Sequence, residues 1–380
     1  MVITLVVRCC VVSTPTPAEQ QEQDKPAPAD ERQRSLGSRL SRRGWTVLVS
    51  GVLVIAFLVA GFVVPVPYVA IGPGPTYDTL GSVKDVTVVQ IDGHAVTPTH
   101  GQLRMTTVQV SSDVTLFGAL GLWISGRYAL APREEYFPNG ETEDQVSKEN
   151  VKMFQDSQSN AEVAALRTLH YPIKVLAGEI VAGAPADKAI APGDQLINVN
   201  GQVIHQQEDV RKALTGSKPG QKISIVLKHG TDAPKTVSIT LGTPPDDRTE
   251  GFIGLTAVDR ADVKFKTTIN LADVGGPSAG LIFALAIVDR LSGDDLANGR
   301  TIAGTGEIDV KGNVSPIGGI PFKMVSARED GATTFLVPAD NCAEAKERVP
   351  DGLQLIKVEN LQGAIDALKN LKAHRPVPSC

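Results

Sequence analysis

The sequence predicts a mixed α+β protein with one membrane-spanning helix followed by two folded units. Three observations support this fold class. One uncharged apolar run is long enough to cross a bilayer, short β-branched runs lie between Gly and Pro breaks, and longer segments show the spacing of apolar residues that is typical of helices. With 380 residues, 42% of them apolar and 21% charged, the chain can bury a sizeable core.

Charge and cysteine content exclude several classes of protein. The 37 Lys and Arg residues against 42 Asp and Glu residues give a formal net charge of −5, which is not the positive footprint of a nucleic-acid-binding protein. Four cysteines are too few for a disulfide scaffold or a zinc framework, and we expect all four to be incidental thiols. These cysteines are Cys9, Cys10, Cys342 and Cys380. We therefore expect no nucleic-acid partner and no metal.

The uncharged apolar run covers residues 45–66, and it is long enough to cross about 30 Å of hydrocarbon as a helix. Arginines cluster just before it, whereas residues 65–78 contain no Lys or Arg. The positive-inside rule therefore predicts a single-pass cell-membrane protein with a disordered cytoplasmic tail over residues 1–44 and everything after Tyr68 extracytoplasmic. The rival interpretation is a cleaved signal peptide, which would have a shorter apolar core and would rarely follow forty residues.

Residues 171–243 form a separate predicted unit. It contains the segments GAPAD, PGDQLINVNG and KPGQ in this order, with a helix over 209–214 and flanking strands. This order resembles a PDZ domain of the bacterial type. The resemblance implies a groove between a strand and a helix that binds an extended peptide as an added strand. By position its carboxylate-binding loop would be Leu169, His170, Tyr171 and Pro172, which is not Gly-rich; the alternative role of this unit is that of a structural spacer.

Ser278 lies in a turn of small residues before an apolar helix over 281–291. Its neighbours in this turn are Gly276, Pro277 and Ala279. A hydroxyl at such a strand-to-helix turn lies near free backbone N–H groups that favour an oxyanion. This arrangement is suited to nucleophilic attack on a carbonyl.

A nucleophilic serine needs a base, and two residue types are available after it. His374 is the one histidine downstream, and it lies in a Pro-rich tail. Lys323 lies between apolar neighbours at the start of another predicted helix. Burial disfavours the ammonium form of lysine, so that Lys323 can act as a general base.

These motifs resemble the proteolytic domain of Lon proteases. The resemblance rests on GPSAG around Ser278, TGEI from Thr305, GNVSPIGG over 312–319, and Lys323 placed 45 positions after the serine. It implies that Ser278 is the nucleophile, that Lys323 is the general base and that the Thr305 hydroxyl helps to hold the lysine. With its apolar run and PDZ-like unit, the chain is similar to membrane-anchored Lon-like serine proteases of the YlbL type.

The resemblance also predicts the domain organisation. A helix predicted over 150–169 looks like the helix that precedes the catalytic strand in Lon domains. We therefore expect residues 70–170 and 244–372 to form two parts of one Lon-like domain, with the PDZ domain of residues 171–243 inserted between them. Residues 373–380 are predicted to be a flexible tail.

The resemblance predicts an ATP-independent serine endopeptidase. The sequence contains no G-x-x-x-x-G-K-[ST] loop, whereas full Lon proteases couple ATP hydrolysis to unfolding. We expect polypeptide substrates that are unfolded or flexible, cleavage at the outer side of the membrane, no cofactor and no ATP. By family alone we also expect a homo-oligomeric ring.

Three alternatives stay open. The chain could be a catalytically inactive PDZ adaptor or scaffold. GPSAG also fits the G-x-S-x-G elbow of α/β-hydrolase esterases, in which case His374 would be the required base. A phosphate cradle at the Gly-rich turn is the third alternative, although the turn lacks the lysine and hydroxyl that usually complete such a loop.

Overall fold

The computed structural model describes residues 41–138, 140–246, 248–271 and 274–380. The predicted tail over residues 1–44 therefore lies outside the described residues, apart from its last four positions. The chain divides after Phe57 into two compact units. All strands and all helices after the first belong to the unit that begins at Leu58.

Helix α1 (Arg42–Val63) covers most of the predicted apolar run. Its most apolar window has a mean hydropathy of 2.7, and 6% of that window is buried. Among the described residues, it is the one helix that is long and apolar enough to cross a membrane. A helix that is apolar on every side is unfavourable when exposed to water, so α1 is a candidate membrane span.

The remaining elements alternate between helices and strands. The helices are α2 (Leu116–Ile124), α3 (Glu143–Thr168), α4 (Gln207–Ala213), α5 (Gly280–Ser292), α6 (Ile320–Glu329), α7 (Cys342–Glu347) and α8 (Leu361–Lys372). The strands are β1 (Tyr68–Asp78), β2 (Ser82–Val83), β3 (Val86–Thr87), β4 (Val89–Asp92), β5 (Gln102–Ser111), β6 (Ala129–Pro132), β7 (Ile173–Ile180), β8 (Gln195–Val199), β9 (Gln202–Val203), β10 (Lys222–Lys228), β11 (Lys235–Thr240), β12 (Leu255–Ala261), β13 (Lys266–Ile269), β14 (Thr301–Gly304), β15 (Glu307–Ile308), β16 (Val314–Ser315), β17 (Thr334–Pro338) and β18 (Gln354–Val358).

The larger core lies around a six-stranded sheet with the order β18-β17-β14-β5-β1-β6. β5, β14, β17 and β18 run parallel, while β1 and β6 are antiparallel to their neighbours. α5 is buried on every side from Gly280 to Asp289, and side chains of α3 and α8 belong to the same apolar cluster. Strands from before residue 170 and after residue 300 therefore share one sheet and one core.

A second sheet has the order β11-β10-β8-β7-β12, and β9 pairs with β8. It has its own apolar cluster, in which Leu196, Ile225 and Leu227 are buried. β12 pairs antiparallel with β7, so that Ala261 lies opposite Ile173. This sheet therefore extends to residue 261, past the boundary expected at residue 243.

α3 begins seven residues before the start of the helix predicted over 150–169. α3 begins at Glu143 because Thr142 and Gln145 form a capping box. The Thr142 N–H donates to Gln145 Oε1 across 2.8 Å, and the Gln145 N–H donates to Thr142 Oγ1 across 3.2 Å. This local pair satisfies backbone groups that would otherwise oppose the first turn.

The predictions of a flexible tail and of four incidental thiols were wrong for the C-terminus. Cys380 forms a disulfide with Cys342 at the start of α7. The carbonyl of Pro378 also accepts a hydrogen bond from the backbone N–H of Lys357 on β18. These contacts hold residues 373–380 against the larger unit. Cys9 and Cys10 lie outside the described residues.

Candidate active site

Three elements bring together the residues that the sequence singled out. Ser278 lies in the turn directly before α5, Thr305 follows β14, and Lys323 lies in the first turn of α6. Lys323 Nζ is 2.8 Å from Ser278 Oγ and 3.1 Å from Thr305 Oγ1. Residues 45 positions apart therefore meet at hydrogen-bonding distance.

The turn that carries Ser278 is fixed from two sides. On one side, Thr305 Oγ1 and the Gly306 N–H donate to the Ser278 carbonyl across 3.0 and 2.8 Å. On the other side, two residues of α3 contact the turn. The carbonyl of Asn150 accepts a hydrogen bond from the Gly276 N–H across 2.9 Å, and Ser157 Oγ donates one to the Pro277 carbonyl across 2.8 Å. Neither of these two α3 residues could be predicted from the sequence, because nothing local indicates that a helix 120 residues upstream touches the turn.

Burial sets the protonation of Lys323. Its side chain is 2% exposed, and desolvation lowers its pKa from 10.5 to about 7. Near neutral pH about half of the amine is therefore uncharged. An uncharged Nζ can accept the proton of the Ser278 hydroxyl while it donates to Thr305 Oγ1.

A cleft of about 210 Å³ opens at Ser278 and Lys323. The outer part of β5 forms one wall of the cleft, from Met105 to Gln109, and Val274 and Gly275 form another. β14 pairs with β5 only over residues 102–105, so the rest of this β5 edge has no strand partner among the described residues. An open edge beside a cleft can pair with an extended peptide.

The turn before α5 also contains two backbone N–H donors. Within the described ranges, the N–H groups of Ser278 and Ala279 donate no hydrogen bond. Both groups precede the buried helix α5, where the helix dipole favours negative charge. They are available to stabilise an oxyanion at the serine.

Other candidate groups lie elsewhere. His374 follows α8, is exposed and does not line the cleft, so it does not complete a Ser–His arrangement. In the part of the chain that the structure describes, no group of three or more His, Cys, Asp or Glu side chains could hold a metal ion.

The PDZ-like unit has its cleft in a different place from the predicted one. A cleft of about 450 Å³ lies between α4 and residues 251–257, and Leu169, His170, Tyr171 and Pro172 do not line it. Tyr171 instead packs edge-on against His94 and Phe265. The predicted loop precedes β7, whereas β12, the last strand of the unit, is the strand next to α4, and a Gly-containing loop precedes β12.

The loop before β12 has the features of a carboxylate-binding turn. Gly254 has φ +82°, and a Cβ at this position would lie 2.1 Å from the Ala184 Cβ, so that only glycine fits. In the described part of the chain, the Ile253 and Gly254 N–H groups donate no hydrogen bond, and Arg211 lines the cleft. The sequence signal that could have located this loop is Gly251-Phe252-Ile253-Gly254 directly before a strand.

Two parts of the chain match known family models. Residues 260–370 match the family model described as the Lon protease (S16) C-terminal proteolytic domain, and residues 151–241 match that of the PDZ domain. The chain is thus a mixed α+β protein that contains a Lon-type proteolytic domain and a PDZ domain, and the resemblance predicted from its motifs is confirmed.

Individual relatives match only in part. Lon protease 1 of Sorangium cellulosum is 28% identical over 193 residues, which cover 49% of this chain and 22% of that protein. Lon protease of Rickettsia felis is 35% identical over 105 residues, covering 27% and 13%, and Lon protease 1 of Bacillus subtilis is 38% identical over 94 residues, covering 24% and 12%. The chain thus spans less than a quarter of the length of these curated relatives.

Two solved structures from Listeria are also similar to part of this chain. The crystal structure of the PDZ domain of the SdrC-like protein from Listeria monocytogenes is 24% identical and covers 23% of this chain and 90% of its own, with a TM-score of 0.20. The solution structure of the second domain of a Listeria protein is 26% identical and covers 23% and 85%, with a TM-score of 0.21.

Proposed function

We propose that this chain is a serine endopeptidase in which Ser278 is the nucleophile and Lys323 the general base. The observation that carries the proposal is the 2.8 Å contact between Lys323 Nζ and Ser278 Oγ, made by an amine whose pKa burial lowers to about 7. A lysine in this state can remove a hydroxyl proton near neutral pH. The Lon-type match over residues 260–370 supports the same chemistry.

The reaction follows from this geometry in two stages. Uncharged Nζ takes the proton of Ser278 as Oγ bonds to the substrate carbonyl carbon, and the resulting oxyanion lies near the Ser278 and Ala279 N–H groups. The ammonium then gives its proton to the leaving amine as the C–N bond breaks, which leaves an ester on Ser278. Water attacks this ester carbon while Nζ takes a proton from the water. The bond between Oγ and the carbonyl carbon then breaks as the ammonium returns that proton to Ser278 Oγ, and the second product leaves with a free carboxyl group.

The shape of the cleft supports an extended substrate. The edge of β5 over residues 106–109, which pairs with no described strand, runs beside the reacting groups and can form main-chain hydrogen bonds with a peptide. Only an unfolded or flexible segment can adopt this strand. Since the sequence has no P-loop motif, we expect cleavage of such segments without ATP.

The dyad is tested with the full-length protein and an unfolded protein substrate in the absence of ATP. Ser278→Ala and Lys323→Met should each reduce cleavage by at least about 10³-fold, because each removes one member of a unit. Lys323→Arg should also be inactive, because guanidinium keeps its proton. His374→Ala is the matched control and should retain full activity. Cleavage that persists in the dyad variants, or a wild type that binds peptides but cuts none, would contradict the proposal.

We also propose that the proteolytic domain is discontinuous and that the PDZ domain is inserted in it. Two observations support this organisation: strands from both sides of the PDZ unit share one sheet, and Ala261 lies opposite Ile173, so that the entry and exit of the insert are adjacent. Replacing residues 173–261 with a short Gly–Ser linker should therefore leave a folded unit that cleaves peptides. Cooperative folding of an isolated fragment over residues 70–170 would contradict this organisation.

The membrane placement is a third part of the proposal. We propose that α1 anchors the chain in the cell membrane with the N-terminus cytoplasmic and both domains extracytoplasmic. Arginines on one side of the apolar run support this orientation, and the Cys342–Cys380 disulfide supports it because such bonds persist in oxidising compartments. A homo-oligomeric ring stays a prediction of the family resemblance.

Finally, we propose that the cleft between α4 and β12 binds an extended peptide with a free C-terminus. The N–H groups of Ile253 and Gly254 donate no hydrogen bond to any described residue, and Arg211 lines the same cleft. Both observations support recognition of a carboxylate. Peptides ending in an apolar residue should bind more tightly than their amidated forms, measured by fluorescence anisotropy. Leu214→Glu should abolish binding, while Val203→Glu, at an exposed position that does not line the cleft, should not. Equal binding of both peptide forms would contradict carboxylate recognition.

A further inference from the structure

Helix α2 (Leu116–Ile124) presents an apolar face that the folded unit does not cover. Its sequence LFGALGLWI contains no charged residue, and the chain has none until Arg127. One side of the helix packs on the core through Ala119 and Leu122. On the other side Leu116, Leu120, Trp123 and Ile124 are 53%, 46%, 62% and 70% exposed. A contiguous exposed patch of this kind marks an interaction surface.

The position of α2 points to one particular partner. The ring of Phe117 packs against Phe62 in the last turn of α1, with centroids 4.7 Å apart, and it fills the space beside Gly61. Directly after α1, Pro65 forms a β-bridge with Thr115, the N-cap of α2. The apolar face of α2 is therefore held next to the point where the candidate membrane span ends.

The side chains around this face are those that membrane interfaces favour. Tyr68 is half-exposed beside Trp123, and both rings combine an apolar body with a polar tip. Together with Val66, Pro67, Leu120 and Leu130 they line a notch of about 250 Å³ whose walls are almost entirely apolar. Tryptophan and tyrosine are enriched at the headgroup level, where an amphipathic ring contacts both phases.

We propose that α2 is an interfacial helix that lies in the outer leaflet beside the anchor and binds the boundary between lipid headgroups and acyl chains. The notch accepts an acyl chain, and the exposed residues of α2 enter the leaflet. The helix then fixes the folded unit to the membrane surface at a second point, so that the unit does not rotate freely about its anchor. This inference rests on the proposed membrane anchoring, and its test separates the two.

The two tryptophans of the chain make the test direct. Trp45→Phe leaves Trp123 as the one tryptophan, and Trp123→Phe leaves Trp45 near the start of α1. Each full-length variant is reconstituted into phosphatidylcholine–phosphatidylglycerol vesicles that contain lipids brominated either near the headgroup or near the acyl-chain end. Trp123 should emit at short wavelength and lose more intensity to the shallow bromines than to the deep ones.

Two further variants, both in the Trp45→Phe background, show whether the helix face is responsible. Leu120→Asp should shift Trp123 emission to longer wavelength and remove its quenching by lipid. Val203→Asp, at a similarly exposed position on β9, should leave both properties unchanged. A Trp123 signal that Leu120→Asp does not move would overturn the inference.

The outcomes distinguish the inference from the anchoring on which it rests. If lipid quenches Trp45 but not Trp123, the chain is anchored and the interfacial helix is wrong. Blue-shifted Trp123 emission without lipid quenching would mean that another protein surface, such as a second copy of the chain, covers α2. This outcome would also overturn the interfacial-helix inference. If lipid quenches neither tryptophan, the anchoring itself fails.

Discussion

The hydroxyl of Thr305 donates a hydrogen bond to the backbone carbonyl of Ser278 across 3.0 Å. The same oxygen accepts from Lys323 Nζ across 3.1 Å. Thr305 is fully buried, so neither bond competes with water. One side chain therefore fixes the serine turn and the lysine amine relative to each other, although it lies on neither α5 nor α6.

Thr305→Val should lower kcat by roughly 10- to 100-fold, because it removes a partner of the charged amine and leaves the Ser278 carbonyl with one donor fewer. Loss of the hydroxyl also disfavours the ammonium form, so the pH–activity curve should move to lower pH. Thr305→Ser should keep both bonds and most of the activity. The measurement is peptide cleavage across a pH series; a kcat loss with no movement of the curve would indicate a structural role alone.

The pH dependence of cleavage should follow the Lys323 amine. Only the uncharged form accepts the Ser278 proton, and burial lowers the pKa of this lysine to about 7. Activity should therefore fall about tenfold for each pH unit below 7 and reach a plateau above it. Initial rates with a peptide that has no ionisable side chain test this. A rate that is constant from acid to neutral pH would contradict a lysine base.

Replacing the lysine should stabilise the protein. Because the folded-state pKa of Lys323 is about 7 and the ordinary value is 10.5, the unfolded chain binds more protons between these pH values. The cost of burying the amine is therefore full below pH 7 and fades as the pH rises toward 10.5. Lys323→Met should raise the free energy of unfolding most at or below pH 7, and the difference should shrink at higher pH. Denaturant titrations at several pH values measure it, and a difference that grows with pH would contradict the buried cation.

The parts of the site that could be predicted from the sequence are those fixed by short motifs. Ser278, Thr305 and Lys323 each lie at the end of a strand or the start of a helix, where small residues and Gly–Pro breaks mark the turn. That these three side chains lie together in one site was predicted from the family resemblance. The support from Asn150 and Ser157 was not predictable, because those contacts depend on how α3 packs against α5.

Two other errors have the same physical origin. The carboxylate-binding loop of the PDZ unit was predicted before β7, whereas the fold puts the late strand β12 next to α4. The Cys342–Cys380 bond joins residues 38 positions apart with no local signal at either end. Contacts between distant segments depend on tertiary packing, which local periodicity does not encode.

This disulfide gives a prediction about the side of the membrane on which the domains lie. In a background with Cys9→Ser and Cys10→Ser, cells are quenched with acid and denatured, and the protein is treated with a mass-tagged maleimide without reductant. Cys342 and Cys380 should stay unlabelled, because an oxidising compartment preserves their disulfide. The bond joins residues 38 positions apart, and closing a loop of this length stabilises the fold by about 4 kcal/mol. Adding reductant should tag both residues, and Cys380→Ser should free Cys342 for labelling. Two tagged thiols in the unreduced protein would contradict the extracytoplasmic placement, since a reducing cytoplasm keeps such cysteines free.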